Sequence, residues 1–74
     1  MFKVFYQMGI GERAEIRFGG TFSEQRAEFE ARHYARMTPG AVVTTARGKV
    51  VKVFGWPSLN VGQRIEPVLF KAIG

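Results

Sequence analysis

Residues 21–40, TFSEQRAEFEARHYARMTPG, decide the fold, because they form the one stretch whose apolar positions recur with a helical period. Thr21 and Glu24 stand at capping-box spacing, Ser23 is a competing N-cap, and Phe22 is placed to form a hydrophobic staple. Thr38, Pro39 and Gly40 predict that the helix ends at about Met37. At about 100° per residue, Phe22, Phe29, His33 and Met37 share one stripe, and Ala27, Ala31, Tyr34 and Ala35 form a smaller stripe beside it. Gln25, Glu28, Arg32 and Arg36 occupy the opposite side, with Glu28 and Arg32 ordered as a favourable i,i+4 pair. The expectation is an amphipathic helix lying on a sheet, with alanines on its inner side permitting close approach.

The flank before this helix alternates with a period of two. Phe2, Val4, Tyr6 and Met8 fall on one face of a first strand, and Lys3, Phe5 and Gln7 on the other. After a turn at Gly9, Gly11 and Glu12, residues 13–18 predict a second strand, with Ala14, Ile16 and Phe18 inward and Arg13, Glu15 and Arg17 outward. The pair reads as an antiparallel hairpin with one buried and one wet face, broken by Gly19 and Gly20. Beyond the helix, residues 41–46 and 49–54 are rich in Val and Thr and predict a second hairpin turning at Arg47-Gly48. Residues 55–63 (GWPSLNVGQ) read as loop. Residues 64–73 read as extended, though Pro67 confines them to an edge or a bulge. The order is β-β-α-β-β with a possible fifth edge strand: one α+β domain spanning 1–74, an antiparallel sheet of four to five strands carrying one helix.

Seventy-four residues leave room for a single core. A chain this short buries only about 60% of the surface that its unfolded form exposes. With no cysteine to form a disulfide or a thiolate metal site, the core rests on aliphatics and ten aromatics. Lys3 and Gln7 interrupt the first apolar run, and no stretch approaches the roughly 18 residues that span a bilayer. A cytoplasmic, membrane-free protein is therefore expected, and a monomer rather than an oligomer.

The residue inventory argues against catalysis. There is no Asp, one His and two Ser, and His33 lies on the apolar stripe of the helix without an acidic neighbour one turn away. Glu24, Glu28 and Glu30 read as a solvated, salt-bridged face, and the scattered ligands predict neither a metal site nor a cofactor. Gly9-Ile10-Gly11 joins two strands and lacks the helix N-terminus of a phosphate loop.

Charge is more informative. The net charge is +5, and the first forty residues are nearly neutral, with Lys3, Arg13, Arg17, Arg26, Arg32 and Arg36 set against five glutamates. The last thirty-four carry Arg47, Lys49, Lys52, Arg64 and Lys71 against Glu66 alone. Such asymmetry orients encounter with an anionic partner. Arg47, Lys49 and Lys52, with Trp56 and Arg64, form the first candidate binding set; opposite strand parity keeps Lys49 and Lys52 off one flat stripe, so the charge gathers at the hairpin tip. A second candidate face is the outer side of the first hairpin, where Lys3 and Phe5 would lie beside Arg13 and Arg17 in an arrangement able to stack a base. Phe5 has the alternative of being covered by the C-terminal segment, and Trp56 that of completing the core from beneath the sheet.

The Arg/Glu-rich helix coupled to a Val/Thr hairpin with a Gly turn, residues 21–54, resembles in layout very small accessory proteins of bacteriophages and mobile elements. The resemblance implies a compact non-catalytic protein that docks on a larger machine, such as a host RNA polymerase or a CRISPR effector complex, and regulates or inhibits it. The competing expectations are a direct DNA or RNA binder using the basic tip, and a structural or assembly protein pairing through its last strand.

Overall fold

The structure is a computed structural model and describes residues 1–56 and 59–65. Strands β1 (Phe2–Met8) and β2 (Glu15–Phe22) form the first hairpin, joined through a 3-10 turn at Gly11–Arg13. Helix α1 (Glu24–Met37) follows, and β3 (Ala41–Thr45) and β4 (Val50–Phe54) form the second hairpin. The four strands make one antiparallel sheet in the order β2-β1-β3-β4. The α+β fold with one helix on a four-stranded antiparallel sheet is thus as the periodicities predict. The expected fifth strand lies, beyond Ile65, outside the described residues, as do Pro67 and Lys71.

Helix α1 meets the sheet through its smaller stripe. Ala27 and Ala31 are fully buried against Val4, Ala41 and Val43, with Phe2, Tyr6, Phe22, Tyr34, Ala35, Val51 and Phe54 packed around them. Short side chains let the helix approach closely, and the Tyr34 ring then stacks on Tyr6 with centroids 4.3 Å apart. Space for that ring comes from Gly19, where a Cβ would stand only 2.9 Å from the Tyr34 edge. The larger stripe expected to share the core is instead turned outward: Phe29 is 62% and Met37 65% exposed, and His33 is exposed. Of that stripe only Phe22, which precedes the helix as the last residue of β2, packs on the core.

The glycines do not end the second strand. Val4 pairs with Gly20 and Phe5 with Phe18, so Gly19 is an extra residue, a bulge that bends β2 and carries it on to Phe22. Gly20 follows at φ +125°, a conformation that L side chains rarely adopt. The register also corrects the expected faces. Ile16 and Phe18 lie on the side of Phe5, whose ring is 5.4 Å from that of Phe18, whereas Arg17 pairs with Tyr6 on the helix side.

Nor is the face away from the helix wet. Phe5, Val42, Val50, Trp56 and Ile65 form a second buried cluster there, with Ile16, Val53 and Leu59 packed against it. The chain leaving β4 folds back beneath the sheet, so the domain has a helix layer, a sheet layer and a layer of irregular backbone. Among the described residues no helix is long and apolar enough to cross a membrane.

Candidate docking site at the basic hairpin tip

The tip of the second hairpin is held from two sides. Within the turn, the Gly48 N–H donates to the Thr45 carbonyl at 2.9 Å and the Thr45 N–H to the Lys49 carbonyl at 2.8 Å. Gly48 sits at φ +91°, which is why glycine follows Arg47 here. From outside, the returning chain pairs with the turn: Val50 N–H donates to Gln63 at 2.8 Å, Gly62 N–H to Val50 at 2.8 Å, and Ile65 N–H to Gly48 at 2.9 Å. Ile65 is 1% exposed, so its burial anchors this segment and fixes the residue before it.

That residue is Arg64, which forms an antiparallel bridge directly across from Lys49. Opposite residues in such a pair have Cβ atoms about 4.5–5.5 Å apart, and like charges there are destabilising. Arg47 is exposed in the adjacent turn. None of the three cations forms an ion pair with a carboxylate among the described residues. The fold therefore concentrates Arg47, Lys49 and Arg64 at one corner of the sheet. Sequence parity located the charge at the tip; the cross-bridge to Arg64, fifteen positions further on, follows from the burial of Ile65.

Lys52 belongs elsewhere. It pairs with Val43 on the helix side of the sheet, and its Nζ donates to Glu28 Oε2 at 2.7 Å. Glu28 also accepts from Arg32 at 3.0 Å. The Lys52 hydrogen bond, aided by the charges of Lys52 and Arg32 and opposed by desolvation, holds the Glu28 carboxyl below its usual range. Lys52 is thus a strut between sheet and helix, its charge compensated.

Trp56 is 6% exposed within the second core cluster, with its indole packed rather than presented to solvent. The second candidate face is not assembled. Phe5 is 2% exposed, and Arg17 lies on the opposite side of the sheet from it, bonded to Glu15 at 3.0 Å. Lys3 is partly buried, and Arg13 is exposed in the 3-10 turn, away from the strand ladder. No aromatic platform flanked by cations results.

Among the described residues no three His, Cys, Asp or Glu side chains gather in a metal-holding group. No family model, curated protein or solved structure matches the chain.

Proposed function

We propose that the chain is a non-catalytic binding module that docks, through Arg47, Lys49 and Arg64, on an acidic surface of a larger protein or nucleoprotein complex and thereby regulates it. One observation carries this reading: Lys49 and Arg64 are held directly opposite each other without a carboxylate partner among the described residues. Two like charges fixed in register lower the stability of the free protein, and an anionic partner relieves that cost on binding. Burial of Phe5 and Trp56 favours this over base stacking at the tip or the first hairpin, because it withdraws the two aromatics expected beside those cations. RNA polymerase and CRISPR effector complexes, the machines that the accessory-protein resemblance implies, are the first partners to assay.

The test is capture of partners from bacterial lysate by immobilised wild type and by the triple variant Arg47→Glu/Lys49→Glu/Arg64→Glu, each with and without nuclease. A protein partner retained after nuclease and lost with the triple variant is expected. Loss of all binding after nuclease points to direct DNA or RNA binding instead. Unchanged capture by the triple variant rejects the tip as the docking site.

A further inference from the structure

Strand β2 closes one side of the sheet, and among the described residues none of the backbone hydrogen bonds formed outside the strand ladders involves residues 15–22. The opposite edge differs, since Val50 in β4 is engaged by Gly62 and Gln63. An open edge presents unpaired N–H and C=O groups to any extended chain. The side chains of β2 select among such chains. On the helix side Glu15 and Arg17 are both exposed and two residues apart. On the other side lie Ile16, half-buried, and Phe18, 53% exposed, and Ala14 just before the strand is exposed.

We propose that this edge recognises a second copy of the chain, the two β2 strands pairing antiparallel with Ile16 opposite the second copy's Ile16. In that register Glu15 faces the second copy's Arg17, and Arg17 faces its Glu15. Each carboxylate, already bonded to its own Arg17 at 3.0 Å, gains a second cation across the strand, and the four charges alternate in sign. Below them Ala14 meets Phe18 and the two isoleucines meet, covering apolar surface that is now open. The registers centred one residue to either side are disfavoured by charge. Centring on Glu15 opposes two glutamates and sets Arg13 against Arg17, while centring on Arg17 opposes two arginines. Centring on Ala14 recruits the 3-10 turn, which is not extended. The sheet would then run through eight strands. The ladder is only five residues long on each side, so the dimer belongs to the small-interface, transient class. It differs from the expected monomer, and it stands independently of the tip.

Sedimentation velocity on the full chain, from low micromolar to millimolar concentration, tests this. Wild type should dimerise reversibly across that range. Glu15→Arg alone and Arg17→Glu alone should each weaken the dimer by about tenfold or more, since both cross-strand pairs become repulsive. An equimolar mixture of the two single variants, and the doubly reversed Glu15→Arg/Arg17→Glu protein, should recover it. Because both side chains are exposed, thermal melts should match wild type. In a second measurement on wild type alone, amide exchange at residues 14–18 should slow as concentration rises. A chain that stays monomeric throughout, or a dimer indifferent to both single reversals, overturns the proposal.

Discussion

Removing the indole of Trp56 should cost the protein much of its stability, because the ring closes the second core cluster against Phe5, Val42, Val50 and Ile65. The side chain is 6% exposed, so nearly all of its surface leaves water on folding. Aromatic side chains bury about 150–250 Å², which at about 25 cal/mol per Å² gives an upper figure of about 4–6 kcal/mol. Truncation of buried Phe or Trp to Ala typically costs about 3–5 kcal/mol, in accord with that figure. Domains of this length are stable by only about 4–11 kcal/mol. Trp56→Ala should therefore lower the melting temperature by about 12–24 °C for a loss of about 3 kcal/mol. Circular dichroism melts and urea titration measure the loss. Iodide quenching of the single tryptophan in wild type supplies an independent check, with strong protection expected. The same substitution should also weaken partner capture at low temperature, because the segment carrying Arg64 is held down by the cluster that Trp56 completes. A melting temperature within about 5 °C of wild type, together with full quenching by iodide, would show that the indole is exposed and refute the packing argument.

The outward turn of the helix stripe predicts that Phe29→Ser changes stability by no more than about 0.5 kcal/mol, whereas Ala31→Leu, on the inner face, overpacks the core by about 1–3 kcal/mol; urea midpoints decide between this and a buried Phe29. The Lys52–Glu28 contact predicts an acid dependence. Because the folded pKa of Glu28 lies below its ordinary value of 4.5, the contribution is complete above the unfolded pKa and is lost as pH falls through the folded one. Urea unfolding followed from neutral pH to well below that value should show a shallower acid loss in Lys52→Met, which lacks the principal cause of the depression.

The elements were readable because the first hairpin and the helix each carry their own period, the second hairpin is rich in Val and Thr, and the breaks between them fall at glycine, proline and a cap. The alanine side of the helix reads as inward and is buried; what could not be read was that the larger stripe beside it stays out of the core, or which face β2 turns inward. On the helix, two stripes compete, and the larger, Phe29-His33-Met37, has the greater apolar area. The alanine stripe wins because the sheet offers Gly19 as a recess for Tyr34, a complementarity between residues fifteen apart that no local pattern contains. On the first hairpin the Gly19 bulge shifts the parity of β2 by one residue, so Phe22 reaches the helix side while Ile16 and Phe18 turn to the other. For the site, the basic tip was visible in the charge distribution. The removal of Lys52 from it was not, since that depends on Glu28 coming within 2.7 Å across the helix–sheet contact.

Three cations at one corner set a limit on what the tip can do alone. Each phosphate neutralised on duplex DNA contributes about −0.9 to the slope of log affinity against log salt, and proteins that hold duplex by charge make about 6–10 such contacts. A tip of three falls well short, and the buried Phe5 supplies no stacking energy in compensation. Against an acidic protein surface the same three charges suffice to orient encounter, with affinity left to other contacts. Self-pairing through β2 would raise the count without any new residue. In the sheet order β4-β3-β1-β2 continued into its copy, the two β4 strands stand seven spacings apart, about 34 Å at about 4.8 Å each. Each carries its own tip, and the antiparallel axis sends the tips to opposite ends. Two tips at that separation cannot fall on one small acidic patch. They fit a partner that presents acidic patches in duplicate, where the second contact becomes intramolecular and overall affinity rises well above that of either tip.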